Sequence, residues 1–253
     1  MGINVNGEQL NSLGSKLFNI DGLYKSNLIV YLDANIGESY PGSGTVWYDL
    51  SGNGNNFNIV AGAYTRTSGG TAYMDFNGSY GCAKNGSDIS LSDSSGVTYI
   101  VWTRVKNSTA EWRTLTRSYS ADHHVIIQSG AWDLGMYDND AVGFLDSGYD
   151  QTSLPNYSTS KWICMYFRWQ SSSPYYEFSY DDTPGTIRGS ITNSNARYNR
   201  GFGSIGAYHN GSTTPSNSSQ LWGDIATFMC FNTRLTNNQL LQVYDATKLK
   251  TKY

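Results

Sequence analysis

The sequence of 253 residues is rich in aromatic residues and glycine but poor in charge, with 39% hydrophobic and 15% charged residues. It contains 27 Gly, 20 Tyr and 7 Trp, and its net charge is −3. This composition excludes a disordered chain, and the glycines are typical of an all-β architecture with many short turns. No cluster of Lys or Arg occurs outside the C-terminal tail, so binding to nucleic acid is not expected.

Cysteine usage and hydropathy exclude further classes of protein. Cys82, Cys164 and Cys230 are odd in number and widely spaced, which argues against a disulfide framework and a zinc site. Cys164 and Cys230 lie in apolar segments and are predicted to be buried free thiols. No leader-like segment follows Met1 and no apolar run approaches 18 residues. We therefore expect neither a signal peptide nor insertion into a membrane.

The most informative stretch covers residues 28–56. An apolar strand, Leu28–Leu32, is followed by a hinge rich in glycine, a short aromatic run at Val46–Tyr48 and a polar turn at Asp49–Asn56. Gly and Asn tolerate positive φ, and short polar side chains can satisfy their own backbone. The pattern therefore predicts a compact, ordered turn.

Two interpretations of that turn remain open. Its side chains can cap backbone groups, which is the favoured interpretation, or Asp49, Asn53 and Asn55 can supply oxygen ligands to Ca²⁺. A second group of acids, Asp138, Asp140 and Asp146, lacks the closing Glu of an EF-hand loop. No other cofactor is expected.

Several later segments predict strands. Val97–Val105 and Trp162–Trp169 are β-branched or aromatic on both faces, as in central strands that are covered on both sides. Tyr175–Tyr180 alternates rings with Glu177 and Ser179, which predicts a half-buried strand. Asn77–Gly78 predicts a tight turn between the strand Ala72–Phe76 and the next strand.

The two ends of the chain differ from the strand-rich middle. Near the C-terminus, Thr236 is a predicted N-cap with Gln239 at the reciprocal position of a capping box, and Leu240, Val243 and Tyr244 share one helix face. Residues 1–25 carry Leu10, Leu13 and Leu17 at near-helical spacing but are interrupted by glycines. They are interpreted as a frayed terminus or as an arm that orders against a partner.

These segments, in this order, resemble the concanavalin A-like lectin/glucanase domain of the laminin-G-like kind, as found in virion structural proteins of tailed bacteriophages. The landmarks are MDFNGSYGCA at residues 74–83, Trp102 in its strand, Gly203–Tyr208, Gly223–Ile225 and Arg234–Tyr244. The resemblance implies an all-β fold, a two-sheet antiparallel jelly-roll sandwich with a short C-terminal helix. It places the sandwich at residues 26–253, after an N-terminal arm at residues 1–25.

Catalysis is not expected. The enzymes of this fold carry Glu-x-Asp-x-x-Glu on one strand, and none of the four glutamates has that context. The three histidines, His123, His124 and His209, accompany no Gly-x-Ser-x-Gly elbow. Adjacent histidines on a strand face opposite ways, so His123 and His124 are not expected to share a metal.

Sugar binding requires an exposed ring with amide or carboxylate groups beside it. Two predicted loops offer this combination, and the candidate carbohydrate-binding residues are Tyr149, Tyr157, Asp146 and Asp150 in the first and Tyr208, His209 and Asn210 in the second.

The resemblance leads to a non-catalytic virion protein as the first hypothesis. Such a capsid decoration, fibre or tail-associated subunit would contact other virion proteins through its N-terminal arm and present a lectin-like face to host glycans. It would be a homo-oligomer or occur in many copies in the assembly. The alternative is a carbohydrate-binding module whose main task is glycan capture, and a polysaccharide depolymerase is the third hypothesis.

Overall fold

The structure is a computed structural model, and it describes residues 4–5, 8–9, 25–60, 63–68, 70–77, 83–91, 96–105, 112–119, 123–128, 133–138, 162–181, 189–191, 201–206 and 220–248. A 3₁₀ turn covers Lys25–Asn27, and the α-helix of these ranges, α1, covers Asn237–Thr247. The strands of these ranges are β1 Asn4–Val5, β2 Glu8–Gln9, β3 Leu28–Asp33, β4 Val46–Trp47, β5 Phe57–Ile59, β6 Ala63–Ser68, β7 Thr71–Asn77, β8 Ala83–Ile89, β9 Val97–Val105, β10 Trp112–Arg117, β11 His123–Gln128, β12 Asp133–Asp138, β13 Ile163–Trp169, β14 Tyr176–Tyr180, β15 Gly189–Ile191, β16 Phe202–Ile205 and β17 Trp222–Phe231.

Fifteen of the described strands form two antiparallel sheets. The seven-stranded sheet has the order β12-β11-β10-β16-β8-β5-β4. The eight-stranded sheet has the order β15-β14-β13-β9-β17-β7-β6, with β3 also paired to β17. Strands that are neighbours in space are often distant in sequence, as in a jelly-roll sandwich.

The ten-residue strand β17 organises the eight-stranded sheet. One edge of β17 pairs with β9 along most of its length. Its other edge pairs first with β7, where Asp224 lies opposite Asp75, and then with β3, where Cys230 lies opposite Val30. The strands β3 and β7 therefore follow each other end to end along one partner.

The principal core lies between the sheets. Phe202 of the seven-stranded sheet packs its ring against Phe57, Tyr99 and Phe228, with centroid distances of 6.2, 5.6 and 5.5 Å. All four rings are buried. The edge-on and offset arrangements are those that aromatic quadrupoles favour, so the ring-rich composition is largely used to join the two sheets.

A second core lies on the outer face of the eight-stranded sheet, beneath α1. Leu240 and Val243 of the helix pack here with Trp102 and other buried side chains of β9, β13 and β17. The indole of Trp102 stacks on Tyr244 at 5.5 Å and donates from Nε1 to Oγ1 of Thr247 at 2.8 Å. Because both faces of this sheet are covered, its central strands are rich in apolar residues on both faces.

The structure confirms three predictions on these elements. All side chains of β13, and those described of β9 except Arg104, are buried, as expected of strands covered on both sides. The helix begins after Thr236 with the predicted capping box, in which Thr236 and Gln239 bond each other's backbone. Cys164 and Cys230 are buried free thiols, whereas Cys82 lies outside the described residues.

One prediction on a strand was wrong. The strand β14 is buried on both faces rather than half-buried: Glu177 is covered by Arg234, in the segment that leads into α1, and Ser179 is buried as well. The strands β7 and β8, on either side of Asn77–Gly78, belong to opposite sheets; residues 78–82 lie outside the described ranges, so the tight turn stays a prediction. Their pairing is set by β17 and β16, which come much later in the chain, and no local turn pattern reports such partners.

The N-terminal segment contributes a small sheet of its own. In the described ranges, β1 pairs with β2, Asn4 lying opposite Gln9. The predicted helix positions Leu10, Leu13 and Leu17 lie outside the described residues, and the predicted boundary after residue 25 stays a prediction. None of the helices in the described ranges has the length and hydropathy needed to cross a membrane.

Candidate functional site

The candidate carbohydrate-binding residues Tyr149, Tyr157, Asp146, Asp150, Tyr208, His209 and Asn210 all lie outside the described residues. Asp140 lies outside them as well, while Asp138 ends β12. The backbone of His123 and His124 opens β11, as predicted. The proposed roles of these candidate residues therefore stay predictions. The polar groups that the structure does place lie in two other regions.

The first region is the Asp49–Asn56 turn, which packs along the free edge of β3. Asp49 Oδ1 accepts hydrogen bonds from the backbone N–H groups of Tyr31 and Ser51, each at 2.9 Å. Asp49 Oδ2 accepts from Ser51 Oγ at 2.7 Å and from the Asn55 N–H at 2.9 Å. Each oxygen of this carboxylate thus receives two donors.

The asparagines of the turn donate to the same strand. Asn53 Nδ2 donates to the Leu28 carbonyl at 2.8 Å, and Asn55 Nδ2 donates to the Ile29 carbonyl at 2.9 Å. The turn itself passes through Gly52 and Gly54 at φ values of +89° and +73°, where other residues would be strained.

Together these bonds replace a neighbouring strand. Tyr31 also accepts from Leu50 N–H at 2.8 Å, and the N–H of Asp33 donates to Ser39 Oγ at 3.0 Å. The alternate residues of β3 that point their backbone groups away from β17 are therefore satisfied by this turn and the preceding hinge. This is the capping role that the sequence favoured, directed at a strand edge.

The calcium alternative for Asp49, Asn53 and Asn55 stays a prediction. In the structure the two amides present nitrogen donors to β3 carbonyls, and the Asp49 oxygens accept hydrogen bonds. Within the described part of the chain, no three His, Cys, Asp or Glu side chains converge as a metal site would require.

The second region lies on the outer face of the eight-stranded sheet, next to the C-terminal end of α1. We call it the Arg104 cluster, and it consists of Tyr73, Arg104, Trp162, Trp222 and Asp224. The strands β7, β9 and β17 supply all of these except Trp162, which immediately precedes β13. Asp224 and Arg104 lie directly opposite each other in register, so both side chains face outward.

The guanidinium of Arg104 is held between rings and a carboxylate. Its Cζ lies 5.0 Å from the ring centroids of both Tyr73 and Trp162. Its Nε and Nη2 donate to Asp224 Oδ2 at 2.7 and 2.5 Å. The Asp224 side chain is fully buried and that of Arg104 is 13% exposed, so this ion pair is largely shielded from water.

Trp222 is the exposed member of the cluster. Its side chain is 42% exposed, whereas the rest of β17 is buried. Because side chains alternate along a strand, Trp222 shares a face with Asp224, two residues and about 7 Å further along. An exposed ring therefore lies on the same sheet face as the oriented, largely shielded guanidinium.

The structure also brings two carboxylates of this face together. Asp75 of β7 lies directly opposite Asp224 in register. Retaining glycosidases use two carboxyl groups about 5–5.5 Å apart, one as acid and one as nucleophile. Here Asp224 is fully buried against Arg104, so its oxygens are not accessible to a substrate.

None of the residues of this cluster was among the predicted sugar-binding residues, because exposed rings were expected in loops. A signal was present: Arg104 is a lone charge in a strand whose other residues predict burial on both faces. A buried charge requires a partner, and Asp224 is the acid in the closing strand. The register that joins them spans 120 residues and is not encoded locally.

A scan of family models and a search of curated proteins both found no match to this sequence. Solved structures do match in fold. A mutant of Trypanosoma rangeli sialidase that displays trans-sialidase activity aligns with a TM-score of 0.60 at 10% identity, over 90% of this chain and 34% of its own. The chain thus spans about a third of that sialidase's length.

Two further structures match in fold. The binding domain of Paraclostridial Mosquitocidal Protein 1 aligns with a TM-score of 0.59 at 16% identity, over 88% of this chain and 52% of its own. Domain 4 of AbnA, a GH43 extracellular arabinanase from Geobacillus stearothermophilus in complex with arabinotriose, aligns with a TM-score of 0.56 at 14% identity, over 86% of this chain and 98% of its own. Identities this low show the fold alone: the chain is a lectin-like, two-sheet antiparallel β-sandwich, as the sequence predicted.

Proposed function

We propose that the chain is a non-catalytic carbohydrate-binding β-sandwich whose task is to capture glycans. The observation that carries the proposal is its match to nearly the whole of an arabinanase domain that was solved with arabinotriose. Since a fold hosts many functions, this likeness supports the class of ligand and leaves the identity of the glycan open.

Two of the described carboxylates are held in positions that support binding without catalysis. Glu177 is held between Arg168 and Arg234, and Asp224 is buried against Arg104. A general acid or nucleophile must reach the glycosidic bond, which neither group can do in these positions. The predicted loops with Tyr149 and Tyr208 are proposed as the place where the glycan binds.

A glycan array tests the proposal. The wild-type protein is expected to bind at least one class of glycan, and Tyr149→Ala or Tyr208→Ala is expected to weaken that binding. Tyr48→Ala is the matched control. Tyr48 directly precedes the Asp49–Asn56 turn, is 44% exposed and is far in sequence from both loops. Absence of binding to every glycan would refute glycan capture, and release of reducing ends from host polysaccharide would refute the non-catalytic role.

A second candidate function is the virion role that the resemblance implies, in which residues 1–25 attach the sandwich to an assembly. The small β1–β2 sheet favours it, since in the described ranges these strands pair only with each other, and a two-stranded sheet is marginally stable without further packing. Mass spectrometry of purified particles of a phage whose genome encodes this chain is expected to detect it in many copies. Particles that lack it would end this proposal.

A further inference from the structure

We propose that the Arg104 cluster is a second glycan site, separate from the predicted loops, and that it takes neutral sugar residues. The inference rests on the proposed function and adds to it a place and a ligand class. It depends on the geometry of the outer sheet face, whereas the sequence-predicted residues lie outside the described part of the chain.

The exposed ring supplies the first half of such a site. A sugar residue has an apolar C–H face and peripheral hydroxyls, so it binds where an exposed aromatic surface adjoins fixed hydrogen-bonding groups. The indole of Trp222 is 42% exposed at the start of β17, on the same face as Asp224. A rigid strand holds it, and sites on strands are better oriented than sites on loops.

The guanidinium supplies the second half. The two rings and Asp224 fix Arg104, and the bonds to Asp224 use its Nε and Nη2. A guanidinium carries five N–H donors, so those of Nη1 are not used by Asp224. A donor that is already immobilised loses little conformational entropy when it binds a hydroxyl, which favours affinity.

Charge selects the class of sugar. Asp224 compensates the Arg104 guanidinium. The described side chains of the cluster therefore carry no excess positive charge. Among the described side chains of the cluster, an acidic sugar meets no uncompensated cation, whereas a neutral sugar requires none.

The size of the exposed apolar surface favours a sugar over a protein partner. Among the described residues, the large hydrophobic side chains that are exposed are Tyr48, Trp222 and Leu241. Only Trp222 belongs to the cluster, and a protein interface needs several such anchors over about 800 Å² per partner. One exposed indole on the same face as Arg104 and Asp224 matches the face of one sugar residue.

The experiment compares Trp222→Ala with Tyr48→Ala in the full chain, on an array of neutral and sialylated glycans. Thermal unfolding of both variants checks that they fold; both positions are exposed to a similar degree, 42% and 44%. In parallel, the protein is labelled with 5-fluorotryptophan and its ¹⁹F NMR spectrum is recorded. The resonance that disappears in Trp222→Phe is assigned to Trp222. Arabinotriose and sialic acid serve as the neutral and the acidic probe.

We expect Trp222→Ala to weaken the binding of neutral glycans about tenfold or more. The affinity of Tyr48→Ala should stay within about twofold of the wild type. The ¹⁹F resonance of Trp222 should shift with arabinotriose but not with sialic acid. If the wild type binds glycans and Trp222→Ala binds them equally, this inference fails while the proposed function stands. Preference for sialylated glycans that depends on Trp222 would overturn the neutral class. If the wild type binds no glycan, both proposals fail.

Discussion

At the scale of single residues, Asp49 shows how one side chain can finish a sheet. Its carboxylate bonds the backbone of Tyr31 in β3 and also the N–H groups of Ser51 and Asn55 within its own turn. Bonds from backbone N–H groups to an ionised carboxylate are stronger than neutral ones. The residue therefore fixes the turn and covers the strand edge at once.

Replacing Asp49 by Ala is expected to lower the free energy of unfolding by about 2–4 kcal/mol, because several backbone donors lose a charged acceptor. Urea denaturation measures the change. The control is Asp245→Ala, since Asp245 is paired with Lys248 on the exposed side of α1 and should cost less than about 0.5 kcal/mol. Equal effects of the two substitutions would contradict the edge-capping role.

The residue types of this turn were predictable and their target was not. Asp, Ser, Asn and Gly in this spacing indicate side chains that cap backbone groups. The strand that they cap lies 18 to 26 residues earlier in the chain, as for Tyr31 and Ile29. That strand pairs through its other edge with β17, about 200 residues later in the chain, and no local pattern reveals this pairing.

At the scale of elements, a buried ion network fixes the segment that leads into α1. Glu177 of β14 pairs with Arg168 of β13 at 3.3 Å and with Arg234. Arg168 Nη1 also donates to the Leu235 carbonyl at 3.2 Å and to Asn237 Oδ1 at 2.7 Å. Burial lowers the pKa of Arg168, while the charge of Glu177 opposes that shift. The guanidinium therefore depends on its carboxylate.

Glu177→Gln is expected to destabilise the fold by about 3 kcal/mol. The substitution removes the carboxylate that Arg168 and Arg234 share and leaves the two guanidinium groups close together without it. Chemical denaturation gives the size of the loss, and hydrogen exchange of the α1 amides shows whether the helix loosens first. Asp245→Asn is the matched control at an exposed ion pair. A loss below about 0.5 kcal/mol would show that Glu177 does not hold this segment.

The elements divide into those that local pattern determines and those that it does not. The strands β9 and β13 and the helix α1 were predictable because burial on both faces and a capping box leave local traces. The burial of Glu177 was not, since alternation with rings also describes a half-exposed strand. What covers it is Arg234, 57 residues later.

At the scale of the whole molecule, two cores share one sheet. Tyr99 and Cys230 face the core between the sheets, whereas Cys164 and Tyr166 face the core beneath α1. Since β9, β13 and β17 contribute to both cores, loss of either core exposes the same strands. We therefore expect the sandwich and α1 to unfold together.

Alkaline pH tests this cooperativity, since burial raises the pKa of all four of these groups, Tyr99, Cys164, Tyr166 and Cys230. In the unfolded chain they lose protons at their ordinary values, about 8.5 for Cys and 10 for Tyr, while the folded state retains them. Above these values the unfolded state binds fewer protons than the folded state. The stability that these groups contribute is therefore fully present below about pH 8.5. It falls as the pH rises, by up to about 1.4 kcal/mol per pH unit for each group.

Urea titrations from about pH 8 to 11 are expected to show this decline, and the tyrosinate absorbance of the buried phenols should appear at the same pH as the loss of tryptophan fluorescence. Tyr166→Phe removes one titrating group and should flatten the decline above about pH 10 by the equivalent of one proton. If tyrosinate forms fully while the fluorescence of the folded state persists, the phenols ionise without unfolding. In that case the two cores do not behave as one cooperative unit.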